Sequence, residues 1–246
     1  MTSSKVLVIR NDDKFSDYLR VAGFTVLNLP LIETLPVKDL SKCDELISRI
    51  NEYDGLFFTS PVAAEIFFDR FYSAGASFGG MIYALGERAR AVVERFGLSV
   101  CPTDADTAAE MIDLFGEREF ANKKFLFVRG DKSVRAIPEQ LKGKAAVDEV
   151  VVYETHDLHP NEKSLVSTQN ALAEGSIDWV CFFSPSAVRS FHKLFPSVSS
   201  SVNTAAIGET TAEEMRRCNL NVNFISPRPC AEDFADGLIR NINTSE

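Results

Sequence analysis

The stretch FFTSPVAAEIFF at residues 57–68 decides the fold of this chain, because it recurs as CFFSPSAVRSFH at residues 181–192. In each copy a hydrophobic run ends in Ser-Pro and is followed by residues with helical spacing. Proline is favoured in the first turn of a helix, where its missing N–H costs nothing. Pro61 and Pro185 therefore predict helices that begin directly after strands.

Ser60 and Ser184 precede these prolines and are predicted to be N-cap residues. Open backbone N–H groups and the positive end of the helix dipole make such a place suitable for an anion. A second related stretch follows each copy, ALGERARAVVERFG with Gly86 and AAIGETTAEEMRRC with Gly208. The serines are 124 positions apart and the glycines 122, so order and spacing repeat nearly in register. This repeat indicates a duplicated strand-and-helix unit with anion sites in both copies.

A shorter unit precedes each copy, KVLVIR with TVLNLPLIET in the first case and KKFLFVRG with AVDEVVVYET in the second. Aligning the two places Arg10 beside Arg129 and Glu33-Thr34 beside Glu154-Thr155. Strands alternate with helices and no hairpin signal interrupts them, which predicts parallel sheets covered by helices on both faces. The predicted fold class is α/β, with two doubly wound parallel-sheet lobes.

The periodicity leaves open which short unit shares a lobe with which long unit. The two halves of the chain can form tandem lobes, or the middle can form one lobe and the two ends the other. In the second arrangement the chain crosses between lobes at LPLIET and VVYETHD, and the two crossings would lie side by side as a hinge. No Gly/Ser-rich linker separates the halves, which mildly favours the second arrangement.

Composition and charge exclude several classes of function. Of the 246 residues 45% are hydrophobic and 25% charged, as in soluble globular proteins. The formal net charge of -9 argues against nucleic acid as a partner, since binding phosphates needs a basic surface. No apolar run reaches membrane-spanning length and MTSSKVLVIR does not resemble a signal peptide, so we expect a cytoplasmic protein that binds no membrane. The five cysteines and three histidines lack the spacing of metal or disulfide sites, and neither is expected.

The candidate ligand-binding residues follow the strands of both copies. Ligands of open α/β sheets bind beyond the carboxyl ends of the strands, and facing rims of two lobes would form a cleft. A serine or threonine at such a place can equally be a simple N-cap, and Arg129 can clamp a substrate carboxylate or pair with Asp131. The residues predicted to bind the ligand are Arg10, Ser60, Arg129, Ser184, Ser186, Gly208, Thr210 and Thr211.

Tyr153 departs from the internal symmetry, because Ile32 occupies the equivalent position in the first short unit. A half-buried aromatic residue on a strand is common and needs no function. A phenol at the cleft could instead donate a hydrogen bond or act as a general acid. The residues alone leave both interpretations open.

Seven motifs carry a resemblance to a known family: FTSPVAAEIF, ALGERA, VRGDKSVRAIPEQL, VVYET, FFSPSAVRSF, AAIGETTAEEM and ISPRPCAEDFADGLI. In this order, and across essentially the whole chain, they resemble the uroporphyrinogen-III synthase family. The resemblance implies two lobes joined by a two-strand hinge. Its implied boundaries are residues 1–34 plus 160–246 for a discontinuous lobe, 38–152 for an inserted lobe, and hinge strands near 29–36 and 151–158.

The resemblance also implies a reaction. Hydroxymethylbilane loses its hydroxyl as water and closes to uroporphyrinogen III with the terminal ring inverted, through an azafulvene and a spirocyclic intermediate and without a cofactor. The family's tyrosine that assists departure of the hydroxyl falls on Tyr153, and family substrate contacts fall on Ser60, Ser184, Thr210 and Thr211. The implied setting is haem and sirohaem biosynthesis in the cytoplasm, by a monomer that contacts hydroxymethylbilane synthase transiently.

Two departures from the family pattern affect individual contacts. Gly86-Glu87-Arg88-Ala89 lacks a frequent threonine, and Arg10-Asn11 stands where Arg-Pro is frequent. A substrate with eight carboxylates still suits a rim of helix N-termini and hydroxyl groups. The rival hypothesis is a cytosolic two-lobed sensor or binding protein that closes on an anionic small molecule without converting it.

Overall fold

Strands alternate with helices along the chain in the computed structural model, which describes residues 4–103, 105, 107–133, 135–196 and 198–244, apart from the side chain of residue 117. The strands are β1 (Lys5–Val8), β2 (Thr25–Asn28), β3 (Ile32–Pro36), β4 (Gly55–Phe58), β5 (Met81–Ala84), β6 (Lys124–Gly130), β7 (Ala146–Asp157), β8 (Trp179–Phe182), β9 (Asn203–Ala206) and β10 (Phe224–Ile225). The helices are α1 (Lys14–Val21), α2 (Ser41–Ser48), α3 (Pro61–Ser73), α4 (Glu87–Arg95), α5 (Ala108–Phe115), α6 (Glu117–Phe120), α7 (Ala136–Gln140), α8 (Glu162–Ala173), α9 (Pro185–Leu194), α10 (Glu209–Arg217) and α11 (Ala231–Thr244). Among the described residues, no helix is both long enough and apolar enough to cross a membrane.

The chain divides into two compact units, each with its own five-stranded sheet. The terminal unit combines the described parts of Met1–Glu33 and His156–Glu246, and the middle unit those of Thr34–Thr155. The sheet of the terminal unit has the order β10-β9-β8-β1-β2, with each neighbouring pair parallel. The sheet of the middle unit has the order β3-β7-β6-β4-β5, in which β7, β6, β4 and β5 pair in parallel. The predicted α/β class with two parallel sheets is confirmed.

Both faces of each sheet are covered, as a doubly wound fold requires. In β4, Leu56 and Phe58 are buried in one core and Phe57 in the core on the opposite face. The strand therefore reads as an uninterrupted apolar run instead of an alternating one. Its counterpart β8 repeats the arrangement, with Val180 in one core and Cys181 in the other.

The stretch TVLNLPLIET, aligned as a single segment, is divided between two strands. Its first part is β2, at the edge of one sheet, and its last part belongs to β3, at the edge of the other. Pro30 lies between them, and a proline lacks the N–H that a continuous ladder would need. β3 is the neighbour of β7 in the middle unit's sheet.

Candidate active site

The middle unit carries four of the singled-out positions along the carboxyl edge of its sheet. Tyr153 lies in β7, Arg129 near the end of β6, Ser60 directly after β4 and Gly86 two residues after β5. The strands β7, β6, β4 and β5 are parallel neighbours in this order, so their carboxyl ends form one rim. We call this edge the middle rim.

Ser60 caps α3, as predicted. Its side-chain oxygen accepts a hydrogen bond from the N–H of Ala63 at 3.4 Å, and Pro61 occupies the first helical turn. The serine is buried, with 9% of its surface exposed. Its hydroxyl oxygen therefore binds the first turn of α3, and the start of that helix lies at the rim.

Arg129 is bound by protein groups on several sides. Its Nε donates to the Glu149 carboxylate at 2.7 Å, and its Nη1 donates to the backbone carbonyls of Gly130 at 2.8 Å and Asp131 at 3.2 Å. Its side chain is 15% exposed. The predicted contact with Asp131 is thus made to the backbone carbonyl, and the side-chain partner is instead Glu149, which no sequence pattern indicates.

Glu149 joins two arginines from opposite sides. Arg129 binds one carboxylate oxygen at 2.7 Å and Arg135 binds the other at 2.5 Å. Burial raises the pKa of this carboxyl group, but hydrogen bonds from Arg135 and Arg129 outweigh it and lower the pKa of Glu149 below its ordinary value. The carboxylate therefore stays charged and keeps both guanidinium groups in place.

Tyr153 lies against a turn at the end of β6. The register of β6 and β7 shifts at this point, so that Gly130 faces Tyr153 across a β-bulge. A methyl carbon added to Gly130 would lie 2.7 Å from the Tyr153 hydroxyl oxygen and closer still to the ring carbons Cζ and Cε2. The ring thus occupies the space that a side chain at position 130 would need.

Asp131 binds the backbone of Tyr153 and of Thr155, on the carboxyl side of the Tyr153 side chain. Its N–H donates to the Tyr153 carbonyl at 3.0 Å, and its Oδ1 accepts the N–H of Thr155 at 2.9 Å. Gly130 and Asp131 lie at the rim in the VRGD motif, and the sequence pattern does not link either of them to Tyr153. That role depends on the bulge, which no local pattern announces.

The tyrosine hydroxyl groups differ in their partners. Four of them bind protein groups: Tyr18 to Glu232 at 3.4 Å, Tyr53 to Asp148 at 2.7 Å, Tyr72 to the Phe96 carbonyl at 2.6 Å and Tyr83 to Glu119 at 3.1 Å. The Tyr153 hydroxyl has no hydrogen-bond partner within the described part of the chain, and it reaches solvent. It is the tyrosine hydroxyl best placed to meet a ligand.

The terminal unit repeats this arrangement along the carboxyl edge of its own sheet, which we call the terminal rim. Arg10 follows β1, Ser184 follows β8 and Gly208 follows β9, and these strands are parallel neighbours. Arg10 pairs with Asp13 at 2.8 Å and lies over the ring of Phe183, 4.4 Å from its centroid. Its guanidinium is thereby fixed at the rim.

The two serines of the terminal rim have different partners. The Ser184 oxygen caps α9 by accepting the N–H of Ala187 at 3.2 Å. The Ser186 oxygen accepts a hydrogen bond from Arg189 at 3.1 Å, and Arg189 in turn pairs with Glu214 at 3.2 Å. Ser186 is therefore part of a polar contact between α9 and α10.

Gly208 leaves the start of α10 open. It occupies the N-cap position in extended conformation, with φ of -179°, and has no side chain with which to accept an N–H. Thr210 is exposed in the first turn, whereas Thr211 is buried, with 4% of its surface exposed. Gly86 leaves α4 open in the same way. In each unit the first rim helix, α3 or α9, has a serine N-cap, and the second, α4 or α10, has a glycine at the N-cap position.

The thiol groups are free and poorly reactive. Burial raises the pKa of all five, to about 12 in the case of Cys43. Among the described residues, no group of three or more His, Cys, Asp or Glu side chains is arranged to hold a metal ion.

Comparisons with known protein sequences all lead to the same family. The family model described as uroporphyrinogen-III synthase HemD matches residues 13–236. The uroporphyrinogen-III synthase of Chlorobaculum parvum is 30% identical over 247 residues, covering 95% of this chain and 97% of that protein. The porphyrin biosynthesis protein HemD of Ruminiclostridium josui is 24% identical over 251 residues, covering 96% of this chain and 48% of that protein.

Solved structures share the fold at low sequence identity. A mutant uroporphyrinogen III synthase from Thermus thermophilus superposes with a TM-score of 0.72 at 15% identity, covering 98% of this chain and 100% of that one. The synthetase from Helicobacter pylori gives a TM-score of 0.61 at 16% identity, covering 96% of this chain and 99% of that one.

Proposed function

The chain belongs to the uroporphyrinogen-III synthase family, so it cyclises hydroxymethylbilane to uroporphyrinogen III, and we propose that Tyr153 assists the departure of the hydroxyl group. In this step of tetrapyrrole biosynthesis the terminal pyrrole ring is inverted and water is lost. Membership of an enzyme family favours turnover over the rival hypothesis of a sensor that only binds an anionic small molecule.

The availability of the Tyr153 hydroxyl supports this assignment. The other four tyrosine hydroxyls bind protein groups, whereas that of Tyr153 has no such bond within the described residues and reaches solvent. Its ring is half-buried and packed beside Gly130, so the phenol is held at the middle rim. A departing hydroxyl group needs a fixed hydrogen-bond donor whose O–H is not already bound to another acceptor.

The proposed chemistry needs little from the protein. The carbon–oxygen bond of the hydroxymethyl group breaks, both electrons go to the oxygen, and the oxygen leaves as water once it has received a proton. Tyr153 donates a hydrogen bond, or that proton, as the bond breaks. The pyrrole nitrogen supplies the electrons that form the azafulvene and gives up its N–H proton, which balances the proton taken up by the leaving oxygen. The protein positions the terminal ring for attack on the azafulvene.

We further propose that substrate carboxylates bind where helix N-termini are open. Gly208 leaves the first N–H groups of α10 without a side-chain acceptor, and the exposed hydroxyl of Thr210 lies in the same turn. Gly86 leaves the start of α4 in the same condition. Backbone N–H groups together with the helix dipole bind carboxylates without formal positive charge. This is compatible with a chain whose net charge is -9.

The remaining rim residues act through the helices and turns that they hold. Ser60 and Ser184 fix the starts of α3 and α9, and the buried Thr211 packs in the first turn of α10. The guanidinium groups at the rims already bind protein carboxylates, so we propose that Arg10 and Arg129 steady the rims as well as attract the substrate.

The setting is proposed on the same basis. A family that acts on hydroxymethylbilane depends on the enzyme that makes it, so we propose transient contact with hydroxymethylbilane synthase. We also propose that the chain works in the cytoplasm as a monomer and without a cofactor.

Replacing Tyr153 tests its role. In Tyr153→Phe we expect kcat to fall by about 100-fold, the lower end of the contribution of a positioned general acid, with KM unchanged. Steady-state kinetics with freshly prepared hydroxymethylbilane would measure both constants. Tyr72→Phe is the matched control, because it removes an exposed hydroxyl of α3 that donates to the backbone carbonyl of Phe96 at the end of α4. A wild-type kcat in Tyr153→Phe would reduce Tyr153 to a packing residue.

A further inference from the structure

Tyr153 packs against the turn at the end of β6, which contains Gly130 and Asp131. From this geometry we infer that Gly130 and Asp131 are positioning residues, which set the direction of the Tyr153 phenol. The inference rests on the proposed function of Tyr153. Neither residue needs to touch the substrate, since each acts through contacts with Tyr153 or with its backbone.

Gly130 supplies the steric half of the arrangement. A Cβ at this position would overlap the ring carbons Cζ and Cε2 of Tyr153 and lie 2.7 Å from its oxygen. The overlap is with the distal end of the ring, so any side chain would push the hydroxyl away from its present place. The absence of a side chain at 130 therefore fixes how closely the phenol approaches the end of β6.

Asp131 supplies the backbone half. The bulge lets its N–H reach the carbonyl of Tyr153 at 3.0 Å, while its carboxylate accepts the N–H of Thr155 at 2.9 Å. Two hydrogen bonds thus hold β7 directly after the Tyr153 side chain, one to the carbonyl of Tyr153 itself and one to the N–H of Thr155. A hydrogen bond from a backbone N–H to a charged carboxylate is stronger than one to a neutral acceptor. The bond to Asp131 therefore limits rotation of the strand next to Tyr153.

The turn is itself anchored from both sides. Arg129 donates to the carbonyls of Gly130 and Asp131 and to the Glu149 carboxylate, and Glu149 lies on β7, the strand of Tyr153. The Ser133 oxygen accepts the N–H of Gly130 at 3.1 Å. The turn therefore cannot shift without breaking several hydrogen bonds, and a rigid support is what a catalytic side chain requires.

Kinetics of Asp131 variants test the inference. We expect Asp131→Ala to lower kcat by about tenfold without changing KM, as expected for a misplaced catalytic group. Asp131→Asn should recover most of the loss, because its amide oxygen can still accept the Thr155 N–H. In a Tyr153→Phe background, Asp131→Ala should cause no further loss. Full additivity of the two losses would overturn the inference.

A matched control comes from the opposite end of the same sheet. Asp54 precedes β4, and its carboxylate accepts the N–H of Lys124 at 2.8 Å, where β6 begins. Asp54→Ala thus removes the same type of bond away from Tyr153. We expect it to keep the wild-type kcat. An equal loss of kcat in Asp54→Ala and Asp131→Ala would reduce Asp131 to a general structural residue.

A spectroscopic readout separates positioning from activity. The chain has five tyrosines, so incorporation of 3-fluorotyrosine gives five fluorine signals, and Tyr153→Phe identifies the one from Tyr153. In Asp131→Ala and Gly130→Ala this signal should shift or broaden while that of Tyr18 stays fixed. An unchanged Tyr153 signal in both variants would overturn the inference.

The two readouts also separate the inference from the proposed function. If Tyr153→Phe keeps the wild-type rate, the catalytic role of Tyr153 fails, and the fluorine signal still decides whether Asp131 and Gly130 position the ring. If Gly130→Ala does not fold, the Asp131 pair of variants decides alone.

Discussion

The oxygens of Ser60 and Ser184 are already used by the helices that they precede. They accept N–H groups of Ala63 and Ala187 at 3.4 and 3.2 Å, which satisfies one backbone donor at each helix start. A serine with this duty contributes to stability whether or not a ligand is present. Its effect on substrate binding is then indirect, through the placement of the helix end.

Replacing each capping serine should therefore affect folding more than catalysis. We expect Ser60→Ala and Ser184→Ala each to lower the free energy of unfolding by about 1 kcal/mol, the usual value of an N-cap hydroxyl. Urea denaturation would measure it. Ser48→Ala is the control, since this exposed hydroxyl donates to the Glu45 carbonyl within α2 and its loss should have little effect. Unchanged stability together with a large rise in KM would instead make the serines direct ligands of the substrate.

At this scale the sequence could single out Tyr153 but not its surroundings. The residue is visible because Ile32 stands in the equivalent place of the duplicated unit. Asp131 is not visible in the same way, because its partners are Tyr153 and Thr155, which reach it only across a bulge between β6 and β7. Contacts between distant residues depend on register, and local patterns do not specify register at a bulge.

The second helix of each rim begins differently from the first, and the proposed carboxylate sites rest on this difference. α10 begins at Gly208 and α4 at Gly86, and neither start has a side-chain cap. The two glycines are not equivalent, however. Gly208 is extended, and a methyl carbon added to it would lie 3.6 Å from its nearest neighbour, Pro229, whereas Gly86 has φ of +79°. A side chain is tolerated at position 208 and strained at position 86.

This tolerance allows a direct test of the start of α10. Gly208→Asp should cap the helix with a carboxylate, so we expect the free energy of unfolding to rise by about a few tenths of a kcal/mol. The same carboxylate occupies the N–H groups and repels the substrate, so KM should rise. Gly208→Ala, which adds a methyl group without a cap, should raise KM less. Equal KM values in the two variants would place the substrate carboxylates elsewhere.

The strand β7 is stabilised by a charge that depends on pH. Hydrogen bonds from Arg135 and Arg129 outweigh burial and lower the pKa of Glu149 in the folded chain. A carboxyl group with a lowered folded pKa stabilises the fold above its ordinary value of 4.5, and this contribution is lost as the pH falls through the lowered pKa.

The expected result is a stability difference that shrinks in acid. Wild type should exceed Glu149→Gln in free energy of unfolding at neutral pH, and the gap should narrow as the pH falls below 4.5. Urea denaturation at a series of pH values measures it. Glu174→Gln, at the exposed end of α8, should show no such narrowing. A gap that stays constant or widens in acid would contradict the role of the Arg135–Glu149–Arg129 contacts.

Helices whose start is marked by a characteristic residue could be predicted from the sequence. Pro61 and Pro185 do begin helices, because a proline's fixed φ and missing N–H suit the first turn. The division of TVLNLPLIET between two sheets did not follow from the periodicity alone, because a crossing at LPLIET belongs to only one of the two arrangements that the periodicity leaves open. An apolar stretch shows that it is extended, but the strand that it pairs with is decided by distant residues.

Duplication is the dominant feature of the whole molecule. It extends to the edge opposite the rims: Asp54 accepts the N–H of Lys124 at 2.8 Å, and Asp178, 124 positions later, accepts that of Lys5 at 2.6 Å. Each of the two sheets has one serine-capped and one glycine-started rim helix. The repeated helix starts are the places proposed above for the repeated carboxylates of the substrate. The duplication does not repeat Tyr153.

The duplication also determines which features of the whole molecule could be predicted from the sequence. The repeat and its alternation of strands and helices specify the α/β class, and the series of motifs specifies the family. The pairing of the short and long units is not contained in the periodicity, because both arrangements give the same order of elements along the chain.

The isomer of the product tests the central claim most directly. Porphobilinogen and hydroxymethylbilane synthase are incubated with and without this chain, and the uroporphyrin isomers are separated after oxidation. Without the chain, hydroxymethylbilane closes spontaneously to the type I isomer. We predict that adding the chain shifts the product to type III in proportion to the amount added. An unchanged ratio of type I to type III, with the chain folded and present in excess, would contradict cyclisation and favour a protein that only binds the bilane.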